Sequence, residues 1–292
     1  MPWLQVHLET SRDRTEQVED ALLECGAVSV TLTDNADNPI LEPGVGETPL
    51  WETVKITALF ELPADQQLIS ADFLALLPDY QPGDLHWETL QDQLWERAWM
   101  EHFEPIQCGE RLWICPSWQE PPDPQAVNLR LDPGLAFGSG THPTTFLCLQ
   151  WLDGIDLSGK TVIDYGCGSG ILGIAALLLG AERVIAVDND PQALLATIDN
   201  LERNGLPAER LSVYLPEDAP ALSADILLAN ILAGPLISLA GKLTDLTNQG
   251  GMICLSGLTS EQADEVMAAY PRFTFSPPAQ RENWVRLTAA KS

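Results

Sequence analysis

Residues 161–170, Thr-Val-Ile-Asp-Tyr-Gly-Cys-Gly-Ser-Gly, constrain the fold more than any other stretch of the chain. The first five, led by β-branched residues, read as a short buried strand. Gly166, Gly168 and Gly170 follow at alternate positions, and the apolar run over 171–179 reads as a buried helix. Such a turn visits positive φ and lets a ligand approach bare backbone, and both demands call for glycine. A strand, a ligand turn and a helix form the opening unit of a nucleotide-binding α/β fold.

Two patterns fit this turn. Residues 168–173 are formally G-x-G-x-x-G, the dinucleotide fingerprint, and Asp188 closes the next strand, 183–188, where an acid can hold a ribose hydroxyl. The glycines begin earlier, however, at Gly166, and Asp164 stands at the end of the strand before them. Asp164-x-Gly166-x-Gly168-x-Gly170 resembles the first motif of class I S-adenosylmethionine (SAM) methyltransferases. That resemblance implies an acid near the methionine amino group and glycines passing under the methionine and ribose. SAM carries an ammonium and no pyrophosphate, so a carboxylate is wanted where a dinucleotide needs bare N–H groups. An NAD-dependent oxidoreductase is the alternative, and it predicts a sheet that stays parallel to its last strand.

The remainder of the chain supports a soluble protein of two domains. Its 292 residues are 45% hydrophobic and 20% charged, with no apolar run near the ~18 residues of a membrane span. The N-terminus lacks the basic and apolar regions of a signal peptide, so a cytoplasmic protein is expected. Six scattered cysteines show neither C-x-x-C nor a His–Cys zinc spacing, so reduced thiols and no metal are expected. Forty-two acids against 15 Lys and Arg give a formal charge of −27. That charge opposes a grip on nucleic-acid phosphate, steers basic substrates inward, and favours a monomer.

Residues 1–91 read as a small α+β module. Strands at 3–9, 27–33, 53–62 and 84–90 and helices at 15–25 and 64–77 give β-α-β-β-α-β, the ferredoxin-like arrangement. A Pro/Gly-rich loop falls at 35–49. No catalytic constellation appears here, and the module reads as a binding domain. Residues 92–103, with Trp95 and Trp99 one turn apart, read as a linker helix. Residues 104–292 then form the second domain, opening with a strand at 111–115.

Residues 131–145 are too polar and glycine-rich for a core, and they precede a helix at 144–152 expected to be capped by threonine hydroxyls. They read as a flap over the cofactor, with Phe137, His142 and Thr144 as candidate flap residues. Thr144 or Thr145 would offer a hydroxyl to the SAM carboxylate. After the glycine turn, helices are expected at 191–204, 235–246 and 260–270, and strands at 211–215, 224–230 and 251–256. Two short strands at 273–276 and 283–289 form a terminal antiparallel hairpin, a feature of the seven-stranded Rossmann-like methyltransferase sheet. Asn230 ends the 224–230 strand beside the crevice where open α/β sheets bind ligands. Amino-group methyltransferases commonly place Asn-Pro-Pro-Tyr there, and this chain has Asn-Ile-Leu-Ala.

Together, the flap 132–145, the turn 164–170, Asp188-Asn189-Asp190-Pro191 and the segment 230–236 resemble the PrmA family. Its members are bacterial enzymes that methylate large-subunit ribosomal protein eleven. The resemblance spans the chain, including residues 110–118. It implies an N-terminal domain that docks the ribosomal protein, a linker that lets the catalytic domain reorient, and trimethylation of an N-terminal α-amino group and lysine ε-amino groups. It also implies that Thr145, Gly166, Asp188 and Asn230 line the SAM site. A small-molecule amine methyltransferase, or a regulator that binds SAM without transferring its methyl, shares the glycine turn.

Overall fold

The computed structural model describes residues 3–34, 51–90, 104–132, 140–220 and 222–292. The expected linker helix at 92–103, the loop at 35–49 and flap residue Phe137 lie outside the described residues. The chain divides into two compact units, Met1–His102 and Phe103–Ser292.

In the first unit, strand β1 (Trp3–Ser11) alternates, with Leu4, Val6, Leu8 and Thr10 buried. Strand β3 (Thr53–Glu61) does the same with Val54, Ile56, Ala58 and Phe60. Period-two burial means that one face of the sheet is covered. The cover is helix α1 (Thr15–Glu24), through Val18 and Leu22, and helix α2 (Gln66–Leu76), through Ile69 and Phe73. With β2 (Ser29–Asp34) and β4 (His86–Leu90), the strands pair antiparallel in the order β2-β3-β1-β4. Each element's bounds differ from expectation by a residue or two, and three of these differences show local detail. Helix α2 starts at Gln66 because the Asp65 carboxylate accepts from the Gln67 and Leu68 N–H groups and so caps it. Pro82–Asp84 form a 3₁₀ turn ahead of β4. Val28, expected within a strand, precedes β2 and is exposed.

The second unit opens with a small sheet of β5 (Ile106–Gln107), β6 (Leu112–Cys115) and β7 (Val127–Arg130). Helix α3 (Pro143–Asp153) leads to the main sheet. There β8 (Thr161–Tyr165), α4 (Ile171–Leu178), β9 (Arg183–Val187), α5 (Pro191–Arg203) and β10 (Leu211–Tyr214) follow in sequence. The chain continues through β11 (Ala224–Asn230), α6 (Ala233–Ser238), α7 (Ala240–Asp245), β12 (Thr247–Thr259) and α8 (Ala263–Ala268). It closes with β13 (Phe273–Phe275), β14 (Ala279–Arg281) and β15 (Trp284–Lys291). The strand order is β10-β9-β8-β11-β12-β15-β13. The first five are parallel, whereas β15 runs antiparallel to both β12 and β13. The all-parallel sheet expected of a dinucleotide enzyme is therefore not what this chain builds.

Adjacent apolar residues explain the layering. Val162, Val184 and Ile226 enter the core with α3 and α4, while their neighbours Ile163, Ile185 and Leu227 enter the opposite core. A strand buried on both faces needs consecutive rather than alternating apolar residues. Four larger details differ from the sequence reading, the first being β12, which runs Thr247–Thr259 where a strand at 251–256 is expected. Seven strands form the main path, but β14, within the stretch read as a loop, pairs along β15 as an eighth. The helix expected at 235–246 is two short ones that meet at Leu239. The helix expected at 260–270 is a 3₁₀ turn, Ser260–Gln262, followed by the short α8. No described helix is long and apolar enough to cross a membrane.

Candidate active site

The parallel strands β8, β9 and β11 end side by side, and the residues just past their carboxyl ends form the site. Gly166, Gly168 and Gly170 adopt φ of 79°, 54° and 77°, so all three occupy the left-handed region. The turn is tied to β9 by the Gly166 N–H, which donates to the Val187 carbonyl at 2.7 Å. Helix α5 backs it: Thr197 Oγ1 donates to the Gly168 carbonyl at 3.1 Å and Asn200 Nδ2 to the Ser169 carbonyl at 2.8 Å.

Two carboxylates bracket the turn. Asp188 Oδ2 accepts from the Gly168 N–H at 2.8 Å and Oδ1 from the Asp190 N–H at 3.0 Å. These bonds fix a partly exposed acid between the turn and α5, which Asp190 caps. Asp164 is buried beneath the turn, and its Oδ2 accepts from the Gly173 N–H at 2.9 Å. Burial raises its pKa to about 7; the Gly173 N–H opposes that rise and the neighbouring Asp188 charge adds to it.

On the other side of the site, Asn230 ends β11 and its Nδ2 donates to Thr145 Oγ1 at 3.2 Å. The Asn230 Oδ1 atom is buried and accepts no hydrogen bond from any of the described residues. Thr144 and Thr145 are both buried in the first turn of α3. That helix is capped by His142, not by the threonine hydroxyls that the sequence reading invoked. His142 Nδ1 accepts from the Thr144 N–H at 3.4 Å and lies 2.7 Å from Thr144 Oγ1. The imidazole also packs edge-on against Trp284 of β15, with ring centroids 4.8 Å apart. Burial lowers its pKa, with Glu282 opposing. The β14–β15 hairpin grips α3 twice more: the Arg281 guanidinium lies 4.0 Å above the Phe146 ring, and Arg286 Nη1 donates to the Leu147 carbonyl at 2.7 Å.

The fold thus gathers Asp164, the three glycines and Asp188 on one side, and Thr145 and Asn230 on the other. Residues that the sequence reading had not singled out join them: Gly173 by its N–H to Asp164, Thr197 behind the turn, and Ile231. The third glycine of the dinucleotide-like pattern was a signal for Gly173. An added Cβ there would lie 2.9 Å from Val184 Cγ1, so close helix–strand packing demands glycine. All six cysteines are free thiols, and burial holds that of Cys167 in the turn well above its usual pKa. A groove of about 930 Å³ along the C-terminal part of α3 is a separate feature. Its Asp153 carboxylate is already occupied by the Glu110 and Arg111 N–H groups and by Arg111 Nε, which makes it a structural hub.

The crystal structure of a ribosomal protein L11 methylase from Lactobacillus delbrueckii subsp. bulgaricus superposes with a TM-score of 0.58 at 30% identity, over 65% of this chain and 100% of that one. The mixed sheet is a methyltransferase-like α/β fold. A sequence model of the family described as ribosomal protein L11 methyltransferase (PrmA) matches residues 2–292. The ribosomal protein L11 methyltransferase of Cellvibrio japonicus is 59% identical over 301 aligned residues, covering 100% of this chain and 99% of that one. Its counterpart in Pseudomonas aeruginosa (strain UCBPP-PA14) is 56% identical over 292 residues, again covering 100% and 99%. The chain belongs to the ribosomal protein L11 methyltransferase family.

Proposed function

We propose that this chain transfers methyl groups from SAM to ribosomal protein L11, trimethylating its N-terminal α-amino group and lysine ε-amino groups. The observation that carries the reading is Asn230 Oδ1. A buried acceptor without a donor is costly, and here it stands beside a nucleotide turn with its own amide anchored by Thr145. An amine N–H is the donor it lacks.

The residues present fit SAM. The ligand's ammonium would meet Asp164, a carboxyl that burial keeps close to neutral and that a nearby cation would ionise. Asp188 keeps lone pairs for ribose hydroxyls beyond its two backbone bonds. Gly166, Gly168 and Gly170 present bare backbone to the ligand, and the Thr145 hydroxyl adds a donor for the ligand carboxylate. SAM supplies a methyl group already activated on a sulfonium, so the protein's task is mainly positioning. In the first two transfers Asn230 Oδ1 accepts an N–H of the neutral substrate amine and aims the nitrogen lone pair; the neutral dimethylamine of the third transfer carries no N–H and is placed without that bond. The amine must arrive neutral, which is harder for lysine (~10.4) than for an α-amine (~7.7–8.0). Removal from water lowers the lysine value. The flap, with Phe137, His142 and Thr144, excludes that water.

The first unit, with its ferredoxin-like element order, docks the ribosomal protein, residues 92–103 link it to the catalytic unit, and 104–292 catalyse. The formal −27 charge attracts a basic protein substrate and opposes nucleic acid. The enzyme acts in the cytoplasm as a monomer. The test uses radiolabelled SAM and purified L11, with mass spectrometry to locate the label. Label at the N-terminus and lysines is expected, together with an Asn230→Ala variant that binds SAM but loses most turnover. An Asn230→Ala enzyme of undiminished rate would remove that residue from the mechanism.

A further inference from the structure

We infer that Ile231 is a positioning residue, a peg that holds the Asn230 acceptor in register with the cofactor turn. The inference rests on the proposed role of Asn230 and assigns the element that fixes it in place. Strand β11 lies between β8 and β12. Its parallel register with β8 sets Leu228 opposite Asp164, and extending it by two residues brings Asn230 level with Gly166. The register with β12 sets Asn230 opposite Ser256, so Ile231 leaves the strand next to Gly257.

Both neighbours are glycines in the left-handed region, with φ of 79° at Gly166 and 88° at Gly257. Ile231 fills the space that each leaves. A Cβ on Gly166 would lie 2.3 Å from Ile231 Cγ2, so that methyl occupies the notch in the cofactor turn. A Cβ on Gly257 would lie 2.3 Å from the Ile231 carbonyl oxygen and 3.0 Å from its nitrogen, so the backbone occupies the other notch. Gly257 sits where the β12–β15 pairing is irregular, between Leu255 and Leu258, which lets the strand bend around the Ile231 peptide. One residue is therefore clamped between the cofactor turn and β12, and it directly follows the residue that presents the acceptor. The Thr145 hydroxyl steadies the Asn230 side chain, and Ile231 steadies its backbone.

The stereochemistry of the contact supplies a sharp test. Isoleucine is β-branched, so its γ2-methyl is held by a stiff χ1. Valine keeps that methyl and loses a methylene. Leucine keeps the full volume and loses the branch at Cβ. A residue that merely buries apolar volume tolerates leucine better than valine, whereas a peg seated by its γ2-methyl tolerates valine better. We would measure kcat and KM of methyl transfer to L11, with thermal melting, for Ile231→Val, Ile231→Leu and Asn230→Ala in the full-length chain. Misplacement of a reacting group is expressed in kcat, and ~10-fold is expected for Ile231→Leu. The valine variant should retain about fivefold more kcat than the leucine one, with L11 KM and melting temperature similar in both. Leucine turning over as fast as valine or faster, with Asn230→Ala inactive, overturns the peg alone. Asn230→Ala at the wild-type rate overturns the role of Asn230 and the peg with it.

Discussion

Asp164→Asn should stabilise the ligand-free protein at neutral pH, by an amount that depends on pH. The Asp164 carboxyl is buried, and burial lifts its pKa from 3.8 to about 7. An acid with a higher pKa folded than unfolded holds its proton more tightly in the native state. Its penalty is absent below about pH 4, grows as pH rises toward 7, and is complete above 7. About three pH units at 1.36 kcal/mol each give a full penalty of about 4 kcal/mol. Asparagine keeps the shape and an oxygen for the Gly173 N–H but cannot ionise. The advantage of the variant over the parent should therefore grow by about 3 kcal/mol between pH 5 and pH 8. In a unit of this size that corresponds to roughly 5–10 °C in melting temperature. Urea unfolding of both proteins across that range is the assay. Parallel pH profiles would mean that the carboxyl is not held near neutrality, and the argument would fail. On the ligand side, capture of an ammonium ionises the same carboxyl, so SAM affinity of the parent should fall about tenfold per pH unit below 7. The asparagine variant should bind weakly at every pH.

Two further outcomes follow from the geometry around α3. Thr145→Val keeps volume but removes the oxygen that receives the Asn230 amide. It should lower kcat about tenfold and destabilise by about 1–2 kcal/mol, and an unchanged kcat would argue that Asn230 holds its orientation without help. His142→Ala removes the α3 cap and should cost about 1 kcal/mol above pH 7. Because burial depresses the His142 pKa, its capping stability is present above the unfolded value near 6.5 and is lost as pH falls. The gap between parent and His142→Ala in urea midpoint should therefore narrow toward pH 5.

The elements legible in the sequence are those whose constraint is local. Val162-Ile163 and Leu227-Leu228 announce doubly buried strands because both faces need apolar residues. Gly166, Gly168 and Gly170 announce the turn because few other residues tolerate its dihedrals. Asp188 and Asn230 were found at strand ends, where such a sheet binds ligands. What escaped depended on partners distant in sequence. Ala279-Gln280-Arg281 has no strand periodicity and becomes β14 only because β15 offers an edge. Leu239 carries no breaker chemistry, yet the chain turns there between α6 and α7. Histidine is not a favoured cap, and Trp284, more than a hundred residues away, gives the His142 ring its second support. Ile231 reads as an ordinary apolar residue until its two glycine neighbours are known.

The strand order also sets a timetable. Strand β8 is made first and sits mid-sheet; β9 and β10 extend one side, and β11 and β12 the other. Then the sequence runs ahead of the architecture, because β13 pairs only with β15, which is synthesised after it and slots in between β12 and β13. The same late strand brings Trp284 to the His142 cap and Arg286 to α3. A chain emerging from the ribosome therefore carries its glycine turn and Asn230 well before it can steady the helix that bears Thr145. Support for that helix thus comes from a strand that follows every one of these residues in sequence, so shortening the chain before β15 would leave the turn and Asn230 in place and the Thr145 helix without its brace.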